Sequence, residues 1–251
     1  MSEALIQLFE GWGIAKVPEQ IAYLSNFGEL AFNIWETVYA PALATLFAYV
    51  IGLPLGVVLV AGENGRILKV PEPLMTALNV AVNLLRSVPF LILMVIVIPL
   101  SRLLLGTSVG TPASIVPLVA AAAPFVARIV ESSLRELDAG VVEAAQAMGC
   151  SPWQIITKVM LSECRPSLIN SLTTATITIL SYGAMAGAIG AGGLGSMALM
   201  KGYQRKMKVM LWGSVVLLVL LVQIIQSIGT ALSVKTDRRI NPTESRRRKR
   251  K

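Results

Sequence analysis

The segment Glu143-Ala144-Ala145-Gln146-Ala147-Met148-Gly149-Cys150-Ser151-Pro152 is a polar interruption between two long uncharged hydrophobic stretches. Connections between packed helices are usually short, so a loop of roughly forty residues with helix start and stop signals of its own needs a reason. The segment predicts a structured projection on which a partner docks.

Composition places this projection on a membrane protein. The chain has 251 residues, of which 55% are hydrophobic and only 14% are charged, and its mean hydropathy is +0.69. These values exclude a disordered chain and disfavour a soluble domain. The N-terminus carries Glu3, Glu10, Glu19 and Glu29 instead of the basic start of a cleavable signal peptide, so we expect it in the mature protein.

Residue usage also disfavours an enzyme. The chain contains no histidine, the commonest general base and metal ligand. Its two cysteines, Cys150 and Cys164, have a spacing that matches neither a zinc site nor a redox motif. We therefore expect no catalytic residue, no metal ligand and no cofactor bound by this chain.

Five apolar segments are long enough to cross a bilayer as helices of about twenty residues. The predicted spans are at about 37–61, 82–104, 112–131, 168–191 and 209–234. Prolines and glycines inside several spans are tolerated where neighbouring helices satisfy the freed backbone groups, which predicts a packed bundle. The expected organisation is an N-terminal extracytoplasmic segment at 1–32, a membrane domain at 33–232 that includes a polar loop at 136–165, and a basic cytoplasmic tail at 235–251.

The distribution of lysine and arginine predicts the orientation. The larger count lies on the side of the C-terminus and of the polar loop, which favours an external N-terminus and a cytoplasmic C-terminus. A cluster from Lys201 to Lys208 opposes this locally. The final basic run, from Arg246 to Lys251, is interpreted as an orientation signal facing anionic lipid, with nucleic acid as the alternative ligand that we do not expect.

The predicted spans lack an internal energy source. Carriers coupled to an ion gradient usually keep a carboxylate within the membrane, whereas Glu36 is predicted at the edge of the first span and Glu131 at the inner end of the third. A phosphate-binding loop requires a Gly-Lys-Ser/Thr ending, and the chain contains no Gly-Lys dipeptide. Energy for uphill transport would therefore come from outside the membrane.

Two short helices are predicted in the loop from their end signals. Asp138 can cap the first, and Gly149 suits the left-handed residue that ends it. Ser151 can cap the second, with Pro152 at its first position and Gln154 in a capping box. Amphipathic helices lying on the membrane surface are the alternative interpretation of this spacing.

The loop resembles the cytoplasmic coupling loop of ABC importer permeases. That pattern is Glu-Ala-Ala, three residues, Gly, nine residues, Ile, any residue and Leu-Pro, and this chain departs from it with Val159 for Ile and Ser162 for Pro. The resemblance implies that the loop enters a groove of a separate ATP-binding subunit and transmits its closure. The implied docking residues are Glu143, Ala144, Ala145, Gly149, Ser151, Pro152 and Leu161.

From about Trp35 to Ile228 the chain resembles bacterial methionine-importer permeases. The resemblance is carried by Arg86-Ser87-Val88-Pro89-Phe90, Ala123-Pro124-Phe125-Val126-Ala127-Arg128, Tyr182-Gly183-Ala184-Met185 and Gly190-Ala191-Gly192-Gly193-Leu194-Gly195. It implies a pathway or gate role for Pro89, Tyr182, Met185, Gly190, Gly192, Gly193 and Gly195. A flexible turn with close helix packing remains an equal alternative for the glycine-rich run.

The implied fold is the all-α type I ABC importer permease, with five transmembrane helices and a coupling-helix loop. The implied assembly, in the lipid bilayer of the bacterial inner membrane, has two copies of this chain, two ATPases that bind ATP and Mg, and an extracytoplasmic binding protein. The implied function is import of D- and L-methionine by a non-catalytic subunit. Alternatives are another amino acid or small solute, or an ion-coupled carrier.

Overall fold

A computed structural model describes residues 26–65 and 67–237, and within these ranges the chain is helical with no strand. The predicted segment 1–32 and the basic tail 235–251 lie mostly outside the described residues, as does Arg66. The helices are α1 (Phe27–Ala61), α2 (Glu72–Ser87), α3 (Phe90–Leu105), α4 (Thr111–Arg135), α5 (Ala139–Ala147), α6 (Pro152–Gln154, then π-helical Ile155–Met160, then Leu161–Glu163), α7 (Arg165–Ala186), α8 (Gly193–Ser196, then π-helical Met197–Gln204) and α9 (Lys208–Thr236). Short 3₁₀ turns lie at Glu63–Gly65 and Gly187–Ile189. The predicted all-α class is confirmed.

Among the described helices, four are long and apolar enough to cross a membrane: α1, α4, α7 with its 3₁₀ extension, and α9. The ranges 37–61, 112–131 and 209–234 lie inside α1, α4 and α9, and 168–191 runs just past the turn that follows α7. A fifth span is obtained only if α2 and α3 are counted together.

The predicted span at 82–104 is not one continuous helix. The chain breaks between α2 and α3 and bends there by 107°. Pro89 explains the break, because a proline disfavours helical backbone in the residue before it, and Val88 is extended with φ −78° and ψ 125°. The apolar content of residues 82–104 gives no sign of this change of direction.

Helix α1 begins earlier than predicted. Its first residue is Phe27, so Glu36 lies well inside the helix. The apolar run in the sequence, from which the span at 37–61 was predicted, covers only the later part of this helix.

The described residues divide into two compact units. The first contains residues 26–44, 90–119 and 178–223. One of its apolar clusters is centred on Met94, Ala186 and Ala191, and another on Leu194, Met197 and Met210. These clusters hold the glycine-rich run against the helices that surround it.

The second unit contains residues 45–89, 120–177 and 224–237. Small residues allow close helix packing here: a Cβ on Gly52 or Gly56 of α1 would overlap Val126 or Val130 of α4. The Ser133 and Ser171 hydroxyl oxygens lie 2.6 Å apart, which joins α4 to α7. This unit carries the polar loop.

Candidate functional site

The first loop helix, α5, begins and ends as the sequence predicts. The Asp138 carboxylate accepts a hydrogen bond from the Gly140 N–H at 2.7 Å, and Gly149 is left-handed with φ +76°. The Cys150 N–H donates to the Ala145 carbonyl at 3.1 Å, and the Gly149 N–H donates to the Gln146 carbonyl at 2.9 Å. These two bonds form a Schellman motif, which confirms the predicted helix stop.

The second loop helix, α6, begins with the predicted capping box. The Ser151 hydroxyl accepts from the Gln154 N–H at 3.4 Å, and the Gln154 side-chain oxygen accepts from the Ser151 N–H at 2.9 Å. Pro152 occupies the first helical position. Because both orphan donors are satisfied locally, the start of α6 has a defined direction.

The end of α6 is not set by Ser162. The helix runs through Glu163 and is interrupted at Cys164, which has φ −84° and ψ 5°. Pro166 then lies in the first turn of α7, where a missing N–H costs no intrahelical hydrogen bond. The loop therefore passes into α7 with almost no intervening coil.

The apolar face of α6 is buried. Ile155, Ile156 and Met160 are buried, and Val159 is partly buried. The π-helical stretch of α6 packs against α5. The two helices therefore form one packed projection.

The predicted docking residues do not all reach the surface. Glu143, Ala144, Gly149, Ser151 and Pro152 are exposed. Of the remaining two, Leu161 is partly buried and Ala145 is only 2% exposed. The side chain of Ala145 thus faces the interior of its own chain. The surface available to another protein is formed by the five exposed residues.

Two large apolar side chains of this surface escaped the sequence reasoning. Met148 is 76% exposed and Trp153 is 73% exposed, one on each side of the Gly149 turn. Exposed Trp and Met are typical of interface centres. A tryptophan within a polar loop was the signal in the sequence that could have identified this site.

The predicted pathway residues belong to other parts of the chain. Pro89 forms the break after α2. In the first unit, the Tyr182 ring stacks on Phe90 with centroids 4.6 Å apart and an interplanar angle of 6°. Met185 is exposed. These positions are compatible with a pathway role, which stays a prediction.

The glycine-rich run is held by hydrogen bonds to α1. The Gly193 N–H donates to Oε2 of Glu36 at 2.9 Å, and the Leu194 N–H donates to the Thr37 hydroxyl at 2.8 Å. The Thr111 hydroxyl donates to Oε1 of Glu36 at 2.6 Å. Both carboxylate oxygens of Glu36 are therefore engaged within the first unit.

Close approach explains the glycines of this run. Gly190, Gly192 and Gly193 all have positive φ, and a Cβ on Gly192 would overlap both Thr111 and Glu36. A Cβ on Gly195 would overlap the Ala184 backbone. The packing interpretation thus has direct geometric support, while a gate role for these residues stays a prediction.

A cavity of about 10 Å³ adjoins Glu36, Thr111 and Gly192 within the first unit. This volume accommodates about one water molecule and is far too small for an amino acid. The described residues also contain no group of three or more His, Cys, Asp or Glu side chains that could hold a metal ion.

The basic turn between α8 and α9 is mostly exposed. Arg205, Lys206 and Lys208 are exposed, whereas Lys201 is partly buried and lies 3.6 Å from the Glu29 carboxylate. Burial, and then repulsion by Arg205, lower the pKa of the Lys201 ammonium. The turn thus presents concentrated positive charge, as the sequence indicated.

The sequence of the chain is similar to a known family and to named members of it. Residues 52–242 match the family model described as "binding-protein-dependent transport system inner membrane component". The chain is 49% identical over 205 residues to the "probable D-methionine transport system permease protein MetI" of Vibrio cholerae, covering 82% of this chain and 91% of that protein. It is 42% identical over 214 residues to the protein of the same name from Haemophilus influenzae, covering 85% of this chain and 100% of that protein.

Two solved structures are similar to the fold of this chain. One of "inward facing conformations of the MetNI methionine ABC transporter" superposes with a TM-score of 0.82 at 42% identity, covering 84% of this chain and 98% of that chain. An "amino acid ABC transporter with histidines", at 15% identity and a TM-score of 0.65, shares the fold and covers 87% of this chain and 97% of that chain. The chain belongs to the family of binding-protein-dependent transport system inner membrane components.

Proposed function

We propose that this chain is the permease subunit of an ATP-driven importer that moves methionine, in both D and L forms, into the cell. The observation that carries this proposal is the similarity to D-methionine permeases at 49% and 42% identity over more than four fifths of the chain. The match to a methionine ABC transporter at a TM-score of 0.82 supports it. In this role the chain is non-catalytic, and a partner ATPase binds ATP and Mg.

The polar loop is the surface on which the ATPase docks. Its support is the rigid pair of helices α5 and α6, both capped and packed against each other. The exposed docking residues are joined by Met148 and Trp153, which supply apolar contact area on a surface otherwise made of small and polar groups. Residues that are held in place before binding lose less conformational entropy when the partner arrives.

The functional assembly contains two copies of this chain, two ATPases and an extracytoplasmic binding protein. The neighbouring solved structure, described as an ABC transporter, supports the ATPase partner. The family description, which names binding-protein-dependent transport, supports the third component. The assembly lies in the bacterial inner membrane, with the N-terminus outside and both the C-terminus and the loop in the cytoplasm.

Energy enters through the loop and not through the membrane helices. Glu29 lies in the first turn of α1, and the two carboxylates further inside long apolar helices are Glu36 and Glu131, each of which has both oxygens engaged by hydrogen-bond donors. Carboxylates whose oxygens are already held by the chain's own donors are better suited to joining helices than to binding and releasing a coupling ion. ATP binding would close the ATPases and open the pathway outward, and hydrolysis would reset it inward.

Uptake of labelled D- and L-methionine tests the proposal. Cells lacking this gene should lose uptake and regain it on complementation. Depleting ATP while preserving the ion gradient should abolish uptake, whereas collapsing the gradient with ATP preserved should not. Unaltered methionine uptake in the deleted strain contradicts the proposed solute, and competition by another unlabelled amino acid would identify the replacement. The opposite energetic result would support an ion-coupled carrier.

A further inference from the structure

A chain of ion pairs surrounds the end of α4 that leads into the polar loop. We call it the α4 ion-pair cluster, and its members are Glu63, Asn79, Asn83, Arg128, Glu131 and Arg135. All six lie within the second unit.

Glu131 is the centre of this cluster. It is only 7% exposed, and Nη1 of Arg128 donates to its Oε2 at 2.6 Å. Arg135 donates to its Oε1 from Nη2 at 2.9 Å and from Nε at 3.2 Å. A buried carboxylate is costly unless it is paired and hydrogen-bonded, and here both oxygens are occupied by guanidinium groups.

Each arginine then reaches a different element. Nη2 of Arg128 donates to side-chain oxygens of α2, at 2.9 Å to Asn79 and 2.9 Å to Asn83. Nη1 of Arg135 donates to Oε2 of Glu63, in the turn that follows α1, at 2.7 Å. One buried carboxylate therefore ties α4 to α2 and to the end of α1.

The position of Arg135 connects this cluster to the loop. Arg135 is the last residue of α4, and Asp138, the N-cap of α5, follows it closely. The first end of the loop is therefore joined to α4 beside this cluster. A buried ion pair usually contributes little net stability compared with apolar residues of similar size, and its best-attested use is to specify one arrangement.

We propose that the α4 ion-pair cluster is a strut that makes α2, the end of α1 and the end of α4 move as one body with the polar loop. Glu131, Arg128 and Arg135 are positioning residues in this inference. It rests on the proposed function only in treating the loop as the surface that the ATPase displaces. Loss of the central carboxylate should leave the loop docked but free to move relative to α2.

A distance measurement tests the strut without any solute. Spin labels are placed at Leu85→Cys on α2 and Val141→Cys on α5, both exposed and both outside the docking segment 143–153, in a Cys150→Ser background, while the buried Cys164 is retained. The full complex with its ATPase is measured in lipid, nucleotide-free and ATP-bound, with labelled chains diluted by unlabelled ones. The unmodified cluster should keep the label distance constant within about 2 Å, the size of ordinary helix shifts.

Glu131→Gln is the informative variant, because it keeps the shape and removes the charge. The label distance should then change between the two nucleotide states. Glu136→Gln is the matched control, since it makes the same chemical change at an exposed position beside Arg135, and it should behave as the unmodified complex. A nucleotide-dependent distance in the unmodified complex, or a constant one in Glu131→Gln, overturns the proposal.

A variant with Asn79→Ala and Asn83→Ala covers the case in which Glu131→Gln fails to assemble. It removes the two side-chain oxygens of α2 that accept from Arg128 and leaves the ion pairs of Glu131 in place, so it should also loosen the label distance. A distance identical to that of the unmodified complex would overturn the strut. As a second readout, solute moved per ATP hydrolysed should fall about fivefold in Glu131→Gln, the lower end of typical coupling energies. A failed methionine assay with a normal distance result refutes the proposed solute and leaves the strut standing.

Discussion

Replacing Gly149 separates two reasons for a glycine in the polar loop. Its φ is +76°, and an added Cβ would meet nothing within 4 Å. The cost of Gly149→Ala is therefore a backbone cost, about 1–2 kcal/mol for an L-residue in the left-handed region. Asparagine visits this region more readily, so Gly149→Asn should cost less.

This cost translates into a measurable affinity. A change of about 1–2 kcal/mol alters the ratio of ordered to disordered turn by a factor of about 5–30. The ordered turn depends on the Cys150 to Ala145 and Gly149 to Gln146 hydrogen bonds. If the ATPase binds only the ordered turn, its apparent affinity falls as the ordered fraction falls.

The assay is a titration of the purified chain in lipid nanodiscs with its ATPase. We expect the unmodified chain to bind the ATPase most tightly, Gly149→Asn less tightly and Gly149→Ala least tightly. Unchanged ATP hydrolysis by the free ATPase is the control. Equal losses in the Asn and Ala variants would refute the backbone reasoning and indicate that the partner's surface approaches Gly149 too closely for any side chain. No loss in either would show that the turn does not control docking.

Three further predictions concern other parts of the chain. Trp153→Ala should weaken ATPase binding by about 2 kcal/mol, the threshold for an interface hot spot, without changing the thermal midpoint, and unchanged binding contradicts it. Gly229→Ala should lower the thermal midpoint because its Cβ would overlap Thr173 of α7, whereas Gly28→Ala should not, because its Cβ would meet only Oδ1 of Asn26 at an ordinary contact distance of 3.7 Å; equal midpoints contradict it. Glu36→Met should speed hydrogen exchange of the Gly193 amide, because methionine is of similar length and has no oxygen to accept the bond, and unchanged exchange refutes that role.

The loop was predictable because its signals are local. Asp138 bonds a backbone group two residues away, and Ser151 and Gln154 bond each other across three residues. Such contacts depend only on residue types and spacing, so reasoning from sequence identified them together with the left-handed Gly149. The docking role of these residues remains a prediction.

The errors share a different cause. The second span was predicted as one helix because apolar content says nothing of direction, and Pro89 divides it. Ala145 was assigned to the docking surface, yet it is buried because α5 packs against α6. Met148 and Trp153 were overlooked because exposure depends on which face of each helix the neighbouring helix covers.

The sequence by itself determined the all-α membrane class, the family resemblance, and the caps and stops of the loop helices, because composition and short-range hydrogen bonding decide these features. Only the tertiary structure decided where the charges act. Glu36 meets Gly193 across 157 residues of sequence, and Arg135 meets Glu63 across 72. Such partners are brought together by helix packing, which no periodicity or spacing along one segment specifies.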